Sequence, residues 1–120
     1  MNHKLRYIVF KLNDDMTQVI IEKTAPKEAT YEDFLNDLPA NSARYAVYDL
    51  EYDTAEGLRQ KIIFVMWAPD RCKIKEKMLF ASTKATIKQA FLGISAEVQA
   101  TDANELSQEE VINKVKAISK

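Results

Sequence analysis

Between Pro69 and Gly93 no glycine or proline interrupts the chain, and this stretch limits most what the sequence can fold into. Pro69 stops an apolar run, Asp70 offers a side-chain acceptor ahead of a helix, and Gly93 supplies the stop. The expectation is one long helix, Lys73 to Leu92, reaching roughly 30 Å, the width of a small domain. Steps of about 100° per residue sort its apolar residues into two stripes, where a globular helix needs one. Phe80, Ile87 and Phe91 form the heavier stripe and should face the core, because larger area carries more burial energy. Ile74, Met78, Ala81 and Ala85 form the lighter one, with Lys75 and Lys77 on either side of it. An apolar strip flanked by positive charge suits an acidic partner. Equally, Ile74 and Met78 could be core and the lysines a solvated rim; periodicity leaves both open.

The remaining chain alternates strands and helices with short joints. Leu5 to Leu12 and Thr17 to Lys23 read as strands, separated by the turn formers Asn13-Asp14-Asp15, and should pair antiparallel. Thr30 can cap a short helix that runs to about Leu38, with Glu32 and Asp33 favouring its N-terminus. Ala43 to Tyr52 and Gln60 to Trp67 are two further strands around a turn at Glu56-Gly57. The run Ile62-Ile63-Phe64-Val65-Met66-Trp67 barely alternates, so that strand should be covered on both faces. Ala96 to Thr101 is a brief strand. Ser107-Gln108-Glu109-Glu110 reads as a capping box opening a last helix, with Val111, Val115 and Ile118 inward and a Glu110 to Lys114 pair outward.

At 120 residues the chain is read as one domain, 1–120, with no repeat or linker. Its net charge of −1 disfavours wholesale nucleic-acid binding, so electrostatic recognition must come from local patches. The lone Cys72 forms no disulfide within the chain and fits a reducing compartment; with no long apolar run, a cytoplasmic protein is expected. Catalysis finds little support. The one histidine, His3, is expected to be solvated, Cys72 has no base partner, and Gly57 and Gly93 are too few for a phosphate loop. Asp49, Glu51 and Asp53 alternate along a strand, as an acid pair would, but are expected at the surface. No metal or cofactor is expected, and a binding module is the preferred class, with an enzyme the remote alternative.

Several segments carry a resemblance that is collinear from about Tyr7 to Lys116: Arg44-Tyr45-Ala46-Val47-Tyr48-Asp49, Lys61-Ile62-Ile63-Phe64, Trp67-Ala68-Pro69-Asp70, the run Ile74 to Lys84, and Gln99-Ala100-Thr101-Asp102. The chain resembles the actin-depolymerizing factor/cofilin family. That resemblance implies an α/β (α+β) fold, a single ADF-homology domain with a mixed five-stranded sheet sandwiched between helices. It implies a protein that binds actin monomers and filament sides, prefers the ADP state, severs filaments and promotes actin turnover. Phosphoinositide head groups would compete with actin for its basic surface. The alternative within the fold is a non-severing regulator of actin or of the actin-branching complex. By position, Ile74, Lys75, Lys77 and Met78 match the contact for monomers and filaments, and Arg59, Lys61 and Lys114 match a basic cluster used only on filaments. Trp67 and Pro69 are assigned to structure.

The chain departs from the family pattern at Arg71-Cys72-Lys73 and at Thr83-Lys84-Ala85, where a proline and an acid are usual. The larger departure is at the front, where the family carries an arm, often with a phosphorylatable serine, and a helix. Three or four large side chains buried by such a helix would be worth roughly 5 to 10 kcal/mol. A truncated sequence is therefore expected. If instead the protein begins at Met1, it should be a low-stability monomer or cover its bare sheet face by self-association.

Overall fold

Asn13 closes the first hairpin in the computed structural model of the chain, which describes residues 5–15, 17–91 and 93–118. Its side-chain oxygen accepts the backbone N–H groups of Thr17 (2.9 Å) and Gln18 (3.2 Å), an Asn-led turn of the kind the sequence suggests. The strands it joins are β1 (Leu5–Leu12) and β2 (Val19–Pro26), so β2 begins and ends later than expected. Thr30 caps α1 (Tyr31–Asn36) in a full capping box with Asp33. Then follow β3 (Arg44–Thr54), β4 (Gly57–Trp67), α2 (Ile74–Gln89), β5 (Ile94–Ala100) and α3 (Gln108–Ile118). His3 lies outside the described residues.

The sheet has five strands in the order β2-β1-β3-β4-β5. All neighbours are antiparallel except β4 and β5, which run parallel because α2 crosses between them. This is the mixed sheet expected from the resemblance. β3 and β4 pair along their whole length, from Arg44 with Trp67 to Thr54 with Gly57. The pairings to β1 stop at Tyr48 and those to β5 at Ile62, so the far end of the β3–β4 hairpin projects beyond both neighbours. Gly57, at φ +116°, allows the tight turn at its tip.

Two apolar layers hold the sheet. On one face α1 and α3 cover Tyr7, Val9, Tyr48, Leu50, Ile63, Val65 and Val98, with Phe34, Val111 and Val115 as their inward residues. Tyr7, Tyr31, Phe34 and Tyr48 form an aromatic cluster with ring centroids 5.0 to 5.9 Å apart, and burial pushes the Tyr48 phenol up to about 12. The Trp67 indole N–H donates to the Pro39 carbonyl at 2.7 Å, anchoring the end of β4. On the other face α2 sets Phe80 against Tyr45 and Phe64, and Phe91 meets Phe10 at 5.5 Å. Ile62 to Trp67 are all buried, as a doubly covered strand requires. Toward β2 this face is thinner: Ile8, Leu12 and Val19 are half-buried and Ile21 is 59 % exposed.

Three expectations need correction. Asp49 is fully buried, because β3 runs on to Thr54 and leaves it in mid-strand, with Arg6 Nη1 donating to its carbonyl at 2.8 Å. Ile118 is exposed, lying past the last turn that reaches the core. Glu110 and Lys114 make no ion pair among the described residues; an exposed pair of this kind is worth only about 0.3 to 0.5 kcal/mol, too little to hold two long side chains. The Ser107 cap itself is present, accepting the Glu110 N–H at 3.3 Å.

Candidate functional site

Helix α2 is fixed to the sheet from its middle. The Tyr45 hydroxyl donates to the Phe80 carbonyl and lies 2.7 Å from the Thr83 hydroxyl, while the Phe80 ring is buried against Tyr45 with centroids 4.4 Å apart. Burial raises the Tyr45 pKa, so that phenol stays a donor across the physiological range. With Phe80 inside and Ile87 half-buried, the heavier stripe faces the core as expected. The lighter stripe faces water. Ile74 is 77 % exposed and Met78 66 %, one turn apart, with exposed Lys75 and Lys77 beside them and Leu79 and Ser82 completing a shallow apolar depression. Of the two readings of this stripe, the packed-core one is thereby excluded.

The N-terminus of α2 is held by a residue that sequence reasoning passed over. The N-cap is Lys73, which makes no side-chain cap, and Asp70 lies in the preceding turn instead. Glu76, between the two lysines, turns the opposite way. Its carboxylate accepts the Ala43 N–H at 2.6 Å and the Ser42 hydroxyl at 3.0 Å, tying the first turn of the helix to the start of β3. No local pattern marks this contact, since a glutamate among lysines reads as a surface partner. Toward the other end of the helix, Lys84 (2.7 Å) and Lys88 (3.0 Å) bind Glu97 of β5. The Lys84 hydrogen bond, helped by Lys88 and Gln99, lowers the Glu97 pKa to about 2. Mid-helix, N-terminal and C-terminal anchors thus present Ile74, Lys75, Lys77 and Met78 on a fixed frame.

The second predicted group lies at the other end of the sheet. Arg59 pairs with Tyr52 and Lys61 with Leu50, so both project to the α3 side of the β3–β4 hairpin. Six to eight residues of β4 lie between Lys61 or Arg59 and Trp67, the strand end that leads toward α2, a span of roughly 20 to 26 Å at about 3.3 Å per residue. Arg59 and Lys61 line a cleft of about 410 Å³ together with Tyr52, Thr54, Glu56 and Lys116. Lys114, the α3 residue expected here, is exposed but does not line it. Glu51, on the opposite side of the hairpin, receives the Arg6 guanidinium at 2.6 Å, which keeps its carboxyl below the ordinary range.

Among the described residues, no group of three or more His, Cys, Asp or Glu side chains could hold a metal, and no helix is long and apolar enough to cross a membrane. Cys72 is buried just ahead of α2, where burial pushes its thiol pKa up. What the surface offers is an exposed apolar strip with flanking lysines and, separately, a basic cleft.

Residues 1–116 match the family of cofilin/tropomyosin-type actin-binding proteins. The chain is 72 % identical over 120 residues to an actophorin of Entamoeba histolytica, spanning all of this chain and 87 % of that one. With the actophorin of Acanthamoeba castellanii it shares 46 % identity over 116 residues, 97 % of this chain and 84 % of the relative. Among solved structures, the crystal structure of a Streptomyces griseoflavus cofilin superposes with a TM-score of 0.87 at 46 % identity, covering 93 % of this chain and 83 % of that one. The chain belongs to the cofilin and actin-depolymerizing factor family of actin-binding proteins.

Proposed function

We propose that this protein binds actin monomers and filament sides through the first turns of α2, and severs and depolymerizes filaments by engaging a second actin subunit with the β3–β4 hairpin and α3. The observation that carries this reading is the exposure of Ile74 and Met78, 77 % and 66 %, on a helix whose other side is locked into the core. Large apolar side chains held out in water on a rigid element are the usual centre of a protein contact, with Lys75 and Lys77 setting orientation toward an acidic partner. Arg59 and Lys61, with a cation from α3, form the filament-only surface. The setting is the cytoplasmic actin cytoskeleton, with ADP-actin the preferred form. Phosphoinositide head groups compete with actin for these basic side chains, and the protein acts by binding without catalysis.

The test is charge reversal on the two surfaces. The Lys75→Glu/Lys77→Glu variant should lose both monomers, read by fluorescence titration, and filaments, read by pelleting. Arg59→Glu/Lys61→Glu should keep monomer affinity and lose filament binding and, in single-filament microscopy, severing. Unchanged monomer binding in the first variant would remove α2 from the site. Equal loss of both activities in the second would reduce the two surfaces to one. Side binding by the parent protein without severing would favour the non-severing regulator.

A further inference from the structure

The cleft near the tip of the β3–β4 hairpin contains a cation that neither the periodicity nor the family resemblance singled out. Lys116 Nζ lies 5.7 Å from the centroid of the Tyr52 ring, on the same face of the sheet as Arg59, the cross-strand partner of Tyr52. Building on the reading of the hairpin as the filament-only surface, we propose that Lys116, and not Lys114, is the residue α3 contributes to it. With Arg59, Lys61 and the Tyr52 ring, Lys116 forms a seat for a carboxylate side chain of the second actin subunit.

The geometry separates the two lysines. Two residues apart on a helix, they point about 200° apart. They therefore flank opposite sides of the stripe formed by Val111 and Val115, and only the Lys116 side looks toward the hairpin. The Tyr52 ring is only 7 % exposed, so it is a fixed platform, and an ammonium above its face is attracted by the ring quadrupole. That attraction holds the long Lys116 side chain near its bound position and reduces the ordering cost on association.

Charge decides what the cleft accepts. Arg59, Lys61 and Lys116 face one acid, Glu56, which is tied to Arg59 at 2.9 Å. That pair is 50 % and 79 % exposed, so it can exchange for an incoming carboxylate at little cost. Lys61 and Lys116 make no ion pair among the described residues, which leaves two uncompensated cations. An acidic side chain fits this arrangement; a basic or apolar one does not.

Single variants decide the matter: Lys116→Glu, Lys114→Glu, Lys116→Arg and, as the reference for the surface itself, Arg59→Glu. Filament affinity is measured by pelleting at low and physiological salt, monomer affinity by titration, and folding by urea denaturation. Lys116→Glu should weaken filament binding about tenfold and flatten its salt dependence, leaving monomer affinity within about twofold. Lys116→Arg should retain filament binding, and Lys114→Glu should stay within about twofold of the parent on both. Should Lys116→Glu fold poorly, Lys116→Gln, which keeps most of the stem over the ring, replaces it. If Lys114→Glu carries the loss while Lys116→Glu does not, the assignment of Lys116 is overturned and the hairpin surface stands. If Arg59→Glu also leaves filament binding intact, the hairpin surface itself fails, and the assignment with it.

Discussion

Replacing Glu76 with alanine removes the tether between the N-terminal end of α2 and the sheet, and its cost follows from two bonds. Ala43 is fully buried, so losing the carboxylate 2.6 Å from its N–H leaves a buried donor without its acceptor, about 1 to 3 kcal/mol. Loss of the Ser42 hydroxyl bond at 3.0 Å adds about 0.5 to 1.5 kcal/mol. With no side chain capping the helix at Lys73, nothing local compensates. A destabilisation of about 1.5 to 4.5 kcal/mol is expected, which at a urea m-value near the middle of the usual range, about 2 kcal/mol/M, lowers the midpoint by roughly 0.75 to 2.3 M. Glu76→Gln keeps one amide oxygen for the Ala43 N–H and should fall between. Urea unfolding followed by Trp67 fluorescence gives the numbers, and titration with actin monomers should show weaker binding in the same order, because Lys75 and Lys77 flank the loosened residue. A Glu76→Ala protein within about 0.5 kcal/mol of the parent, the range of ordinary surface substitutions, would refute the reasoning.

Two further perturbations probe the frame that holds α2. Glu97 has its pKa lowered from 4.5 to about 2 by Lys84 and Lys88, so its contribution is present above pH 4.5 and lost as the pH falls toward 2; Glu97→Gln should abolish that part of the acid-dependent stability, measured as urea midpoints across this window. Phe80→Ala removes the one fully buried side chain of α2 and should cost about 3 to 5 kcal/mol, read by thermal and urea unfolding.

How much of this was readable in advance depended on the range of the interactions. Thr30, Asn13 and Gly57 act within a few residues of themselves, and the cap and the two hairpins they specify were expected where they occur. The unbroken apolar run of β4 likewise announced its burial on both faces. Which strands adjoin was not set by local pattern: the placement of β1 beside β3, and of β5 parallel to β4, joins segments far apart in sequence, and only the family resemblance anticipated the mixed sheet. The same limit applied at the site. The periodicity of α2 put its heavier stripe inward but left open whether the lighter one packs as well; the long-range contact from Tyr45 of β3 fixes Phe80 inside and leaves Ile74 and Met78 in water. Glu76 and Asp49 were misjudged or passed over because the groups they meet, Ala43 and Arg6, lie on other elements, as does the Tyr52 ring beneath Lys116.

The two surfaces differ in what they supply, and the difference bears on why filaments should be held more firmly than monomers. Burying Ile74 and Met78 fully gives about 1.5 to 3 kcal/mol each. A micromolar complex requires about 8 kcal/mol after the costs of association, so that strip and its lysines need further contact area even for a monomer. The hairpin cleft, roughly 20 to 26 Å away along β4, is too far to be felt electrostatically from α2, where charges are screened beyond about 8 to 10 Å. On the proposed two-surface reading, its contribution appears only when a second subunit is presented at the right distance. Because one rigid sheet carries both surfaces, the second contact then forms as an intramolecular step at high effective concentration. Weak surfaces linked in this way bind a filament far more tightly than either binds a lone subunit, and the advantage vanishes if the spacing between neighbouring subunits no longer matches the sheet.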